Sequence, residues 1–172
     1  MDTIKVTGVI EFDLKDKTKK HKNQASWKKI AMVLIDDDLC SYYAWFIKKR
    51  YGIILNKPLR GPHLSLVNDS MRDLTQNGLK SENEVEMLWE SVREKWHGKE
   101  IEIVLSVDVR TDGNHWWFNI PHNERGQLQS IRDELGLSIP FFGFHISIGT
   151  PHPFYLEQSQ YIHDCIKNCF IK

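Results

Sequence analysis

Apolar and polar positions change period several times along the chain, and each change marks an element. Residues 4–12, Ile-Lys-Val-Thr-Gly-Val-Ile-Glu-Phe, mix β-branched with polar side chains and predict a strand. A second apolar strand runs from Trp27 to Ile35, ending Met32-Val33-Leu34-Ile35. The spacing then lengthens: Leu39, Tyr42, Tyr43, Phe46, Ile47 and Tyr51 recur at helical intervals, with Asp36-Asp37-Asp38 where a helix should start and Gly52 where it should stop. A short segment, 52–57, and Pro58-Leu59-Arg60-Gly61 lead into the strand Pro62-His63-Leu64-Ser65-Leu66, closed by Asn68-Asp69-Ser70. After a polar loop at 70–80, the capping box Ser81-x-x-Glu84 precedes Val85, Leu88, Trp89, Val92 and Trp96, a helix ended by Gly98. Glu100 to Val109 alternate as one strand, and Asp112-Gly113 is a hairpin turn into residues 114–120. Asn123 is placed to cap a helix carrying Leu128, Ile131 and Leu135 before Gly136. The strand Phe144-His145-Ile146-Ser147-Ile148 and a closing helix at 155–169 complete the chain.

Two of these strands spell the same pattern, His-x-Ser with apolar residues between and after, and His145 lies 82 positions after His63. In extended backbone, His63 and Ser65 share one face while Leu64 and Leu66 share the other, and His145/Ser147 and Ile146/Ile148 divide likewise. Each motif follows a helix start by a similar interval, 26 residues from Asp37 and 22 from Asn123, with a glycine-containing link between. The layout predicts a loose duplication in which two lobes set their central strands against each other.

Composition narrows the function. A chain of 172 residues with 41% hydrophobic and 27% charged residues is an ordinary globular protein, long enough to bury a core, and reads as one domain over 1–172. With 23 basic and 23 acidic residues the formal charge is zero, so neither duplex DNA nor a membrane surface is an expected partner. Any nucleotide binding must be local; Lys15, Lys17, Lys19, Lys20 and Lys22, in a polar stretch at 13–26, form a solvated arm that can attract phosphates. The first residues carry no signal-like apolar run, and Cys40, Cys165 and Cys169 contain no C-x-x-C, so the expectation is a cytoplasmic protein with free thiols. Oligomeric state is not legible.

Cleaving a phosphodiester takes a base for a hydroxyl or water, an acid for the leaving oxygen and donors for the non-bridging oxygens. Two imidazoles on opposite sides of a cleft supply the first two, because with an ordinary pKa of about 6.5 one is neutral and the other protonated near pH 7. Ser65 and Ser147 supply hydroxyl donors on the same faces as their histidines. No metal or other cofactor is called for. The alternatives fit less well: neither serine stands in a G-x-S-x-G turn, no H-E-x-x-H or paired-cysteine motif offers a zinc site, and the three aspartates are accounted for by a helix start.

Paired His-x-Ser motifs on apolar strands, about 80 residues apart in a chain of this length, resemble the two-histidine phosphoesterase superfamily, which includes the LigT-like RNA 2′,3′-cyclic phosphodiesterases. The resemblance implies an α+β, bilobal fold with pseudo-twofold symmetry, in which two antiparallel or mixed sheets face a central cleft with helices outside. It further implies metal-independent hydrolysis of nucleotide phosphodiesters, with His63 and His145 as the acid/base pair and Ser65 and Ser147 binding phosphate. The compact size, the Arg60-Gly61-Pro62-His63 entry and the lysine-rich arm resemble the phage-encoded branch that degrades cyclic oligonucleotide immune signals, the anti-CBASS nucleases, which would act in a host cytoplasm. An RNA 2′,3′-cyclic phosphodiesterase and a non-catalytic nucleotide- or RNA-binding module are the alternatives.

Around the four motif residues, Arg60, Trp117 and Tyr155 are candidate substrate contacts. Trp116 and Trp117 alternate on one strand, so one is expected in the core and the other beside a base. His152 lies between Pro151 and Pro153 in a loop, and His21, His97, His115, His122 and His163 are expected at the surface.

Overall fold

The computed structural model of the chain describes residues 2–14, 29–68, 82–140 and 142–169. The lysine-rich run 15–22, the loop at 70–80 and Ser81 of the expected capping box lie outside them. The described strands are β1 (Thr3–Phe12), β2 (Ala31–Ile35), β3 (Leu55–Asn56), β4 (His63–Val67), β5 (Glu100–Ser106), β6 (Val109–Thr111), β7 (Trp116–Asn119) and β8 (His145–Pro151). The described helices are α1 (Asp37–Tyr51), α2 (Glu82–Trp96), α3 (Gly126–Glu134) and α4 (Leu156–Cys169). Among the described residues no helix is long and apolar enough to cross a membrane.

The architecture is α+β: one antiparallel sheet in the order β5-β1-β2-β4-β8-β7-β6, with β3 paired to the far half of β8. The expectation of two separate sheets gives way to this single continuous one. The expected strand 100–109 is also divided. Val107 and Asp108 interrupt it, and β5 and β6 stand at opposite edges of the sheet. Three residue steps reach at most about 11 Å, whereas seven strands laid flat span about 29 Å. The sheet therefore curls until its two edges meet at that corner, where the Asp108 N–H donates to the Ser106 hydroxyl at 3.2 Å.

All four described helices pack on one face. Trp89 of α2 meets Phe12 edge-on at 5.0 Å between ring centres, and Tyr43 of α1 meets Phe118 at 4.6 Å. Arg132 of α3 donates to the Leu66 carbonyl, and Ser159 of α4 accepts from the Trp116 indole at 3.0 Å. The strand residues on this face, among them Ile10, Val33, Leu64, Leu66, Ile146 and Ile148, are buried in the core, each contributing on the order of 1.5–3 kcal/mol. With helices about 10 Å across crowded upon it, this is the outer face, and the curl closes toward the other.

Local chemistry explains most boundaries. The Asp36 carboxylate accepts from the Asp38 N–H at 2.8 Å to start α1, which ends at Gly52 in the left-handed region (φ 70°). Asn123 does not cap α3, contrary to expectation. It lies in a 3-10 turn, His122–Glu124, bonded to the Glu124 carboxylate, and α3 begins after Arg125 without a side-chain cap. A hairpin, a helix and a His-x-Ser strand follow one another twice: β1-β2, α1, β4, and then β6-β7, α3, β8.

Candidate active site

Each His-x-Ser strand is delivered by the same device. The Gly61 N–H donates to the Pro58 carbonyl at 3.0 Å, and the Gly143 N–H to the Pro140 carbonyl at 2.8 Å. Both glycines are left-handed, with φ 74° and 68°, a conformation that favours glycine over any residue with a Cβ. The turned carbonyls then meet the imidazoles: His63 Nδ1 lies 2.7 Å from the Gly61 oxygen and His145 Nδ1 3.1 Å from the Gly143 oxygen. A carbonyl oxygen only accepts, so each Nδ1 carries a proton and each neutral ring keeps its lone pair on Nε2. The repeated unit is thus Pro-x-x-Gly-x-His-x-Ser, longer than the three-residue signature visible at first sight.

The sheet brings the two units together. β4 and β8 are antiparallel neighbours paired at Leu64 and Ile146, the central residues of the two motifs. Carried one residue each way, this register sets His63 opposite Ser147 and Ser65 opposite His145, all on the face away from the helices. The two histidines are then diagonal neighbours about 7–8 Å apart, with their Cβ atoms somewhat closer, a gap that a phosphate group spans. All four side chains are half-buried.

The same face continues onto the flanking strands. On β7, Trp117 pairs with Ser147 and Asn119 with His145; on β2, Leu34 pairs with His63 and Met32 with Ser65. One wing of the quartet is aromatic and polar, the other apolar. Trp117 approaches the His145 ring at 6.5 Å and 69°, and its indole N–H donates to Asn119 Oδ1 at 2.8 Å. Its neighbour Trp116 is 1% exposed, so the two tryptophans divide between core and candidate site.

Burial pushes the His145 imidazole below its ordinary value, with a smaller contribution in the same direction from His115; its bond to the Gly143 carbonyl acts the other way. The ring is therefore neutral at pH 7, with Nε2 able to take a proton.

Two arginines flank the turns. Arg60 lies within the turn before His63. Arg125, which sequence patterning had not singled out, donates from Nε to the Ile120 carbonyl at 3.0 Å. It borders the other turn so closely that a Cβ on Gly143 would come within 3.8 Å of its Nη2. Where the first turn has Arg60, the second has Phe142, 71% exposed.

Tyr155 is not brought to the site: it lies in the turn after β8, whose end is about 13 Å along the strand from Ser147 at about 3.3 Å per residue, and it packs against the core on the helix side. His152 is exposed and caps the 3-10 turn it precedes, accepting from the Phe154 N–H at 3.4 Å. His163, expected at the surface, is half-buried and meets the Thr111 carbonyl at 2.7 Å, joining α4 to β6. Cys40 is a buried thiol whose pKa burial pushes up to about 12, and Cys165 is a free, half-buried thiol.

Comparison with protein-family models, with curated proteins and with solved structures gave no match to this chain.

Proposed function

We propose that this chain is a two-histidine phosphodiesterase that cleaves nucleotide phosphodiesters without a metal, its substrates being cyclic oligonucleotide signals. The observation that carries the reading is the pair of matched imidazoles on adjacent antiparallel strands, each with Nδ1 tied to a glycine carbonyl and a serine opposite. Strand order about β4 and β8 reads the same in both directions, β1-β2-β4 against β6-β7-β8, which supports a pseudo-twofold relation between lobes. In the first step His145 Nε2 takes the proton of a ribose 2′-hydroxyl, O2′ bonds to phosphorus, the P–O5′ bond breaks, and protonated His63 gives its proton to O5′. Ser65 and Ser147 donate to the non-bridging oxygens. The 2′,3′-cyclic product opens when His63, now neutral, takes a proton from water and His145 returns one to the ribose oxygen.

A second reading, an RNA 2′,3′-cyclic phosphodiesterase, is favoured by the unequal wings. A 2′,3′-cyclic end has a base on one side of its phosphate, as Trp117 and Asn119 occupy one side of the quartet. Both readings are tested by incubating the protein with cyclic dinucleotides, cyclic trinucleotides and 2′,3′-cyclic mononucleotides in EDTA and separating the products. Turnover is expected, with a loss of about 10²–10⁴-fold in His63→Ala and in His145→Ala. Failure of EDTA-treated protein to turn over what the untreated protein cleaves excludes the metal-free mechanism, and binding without conversion of any substrate leaves a binding module.

A further inference from the structure

Asn119 and Trp117 form a fixed pair on the β7 wing, and their chemistry specifies more than a stacking platform. An indole N–H is a donor only, so the Asn119 atom 2.8 Å from it must be the amide oxygen. That bond commits Oδ1 and leaves the Asn119 NH2, which can only donate, to meet a ligand. The register sets this amide opposite His145, and the Trp117 ring stands 6.5 Å from the same imidazole. Across the quartet the corresponding β2 positions are Met32 and Leu34, which offer no hydrogen bond to a base edge.

Resting on the phosphodiesterase reading, we infer that this pair selects a keto nucleobase, uracil or guanine, on the nucleoside beside His145, the one whose 2′-hydroxyl attacks. A base held on the Trp117 face by stacking turns an edge toward the Asn119 amide. Where the amide faces the ring position that carries O4 in uracil and O6 in guanine, those oxygens accept its hydrogen bond, whereas the amino group that cytosine and adenine carry at that position opposes it donor to donor. The leaving nucleoside lies over the apolar β2 wing and is read by contact alone. In the proposed mechanism His145 takes the 2′-hydroxyl proton, so a base held beside that imidazole by Trp117 and Asn119 and the attacking hydroxyl belong to the same residue of the substrate.

The test is a panel of dinucleoside monophosphates, all pairs of the four bases, together with mixed-base cyclic dinucleotides in which the opened bond identifies the attacking nucleoside. The wild-type protein is expected to favour uridine or guanosine at the attacking position by about tenfold or more, with weak discrimination at the leaving position. Asn119→Ala should level the preference. Asn119→Asp, which keeps an oxygen for the indole and presents another to the substrate, should invert it toward adenosine or cytidine, whatever the loss in overall rate. An inverted preference cannot arise from misfolding. A uniform loss on every base in Asn119→Ala, with the Asn119→Asp ratio unchanged, overturns base reading by this amide. Wild-type protein that cleaves nothing in the panel or among cyclic trinucleotides and 2′,3′-cyclic mononucleotides overturns the phosphodiesterase reading itself.

Discussion

Gly61 and Gly143 do the same work in two matched turns: each turns its carbonyl onto the Nδ1 of the histidine two residues later, at 2.7 and 3.1 Å. Neither glycine is required by crowding. A Cβ at Gly61 meets nothing within 4 Å, and at Gly143 the nearest atom is the Arg125 Nη2, 3.8 Å away. Their requirement is the positive φ of 74° and 68°. Gly61→Ala and Gly143→Ala should each cost about 1–2 kcal/mol in stability, the penalty for a left-handed L-residue. If the carbonyl sets the ring, each should also lower turnover well beyond what that stability loss explains at temperatures where the protein stays folded. Thermal melts beside turnover on the best substrate check this; unchanged turnover means the carbonyl does not aim the imidazole.

Much of this was legible in the chain. Alternation located β1, β4 and β8, and aspartates with Gly52 bounded α1, because those signals are local. The split of residues 100–109 was not legible, since Val-Asp-Val-Arg continues an alternating pattern whichever edge of the sheet it serves; the break follows from closure of a curled sheet. Tyr155 read as a neighbour of the His145 strand by sequence distance, yet β8 carries it to the opposite end. Asn119 gave no signal of its own, because its position depends on the register of β7 against β8.

The buried His145 makes both stability and activity depend on pH. Its pKa in the folded chain lies below the ordinary 6.5. Between that lowered value and 6.5 the unfolded chain takes up a proton that the folded chain resists, so stability present above pH 6.5 declines as pH falls through this window and levels below it. Denaturant unfolding across pH should show this decline, and His145→Gln should lose that part of it. As general base, His145 also places the acid limb of kcat/KM below 6.5; a limb above 6.5 assigns the base elsewhere.

Arg132 is a charged residue on the apolar stripe of α3, between Leu128, Ile131 and Leu135, and it is 0% exposed. Its Nε donates to the Ser138 carbonyl at 2.5 Å and its Nη1 to the Leu66 carbonyl on β4, so it fastens α3 to the strand that bears His63. Arg132→Met keeps the volume and abandons those carbonyls to the core, at about 1–3 kcal/mol for each unsatisfied group. A loss of more than about 2 kcal/mol is expected by chemical denaturation, with Arg132→Lys recovering part of it; a neutral Arg132→Met means water satisfies the carbonyls.

Trp116 and Trp117 are adjacent in sequence and should answer oppositely to substitution. Trp116 is buried and donates from Nε1 to the Ser159 hydroxyl at 3.0 Å, tying β7 to α4. Trp116→Phe retains a ring but leaves the hydroxyl without its donor and opens a void, for a destabilisation of about 2–4 kcal/mol with catalysis unaffected while the protein is folded. Trp117 is half-buried on the face of the histidines. Trp117→Ala should change stability little and weaken nucleotide binding by about 1–3 kcal/mol, the worth of one stacked base. Melting curves and nucleotide titrations on both variants decide it: tight binding in Trp117→Ala removes that indole from the substrate surface, and a Trp116→Phe protein as stable as wild type removes the bond to Ser159 from the account of how α4 is held.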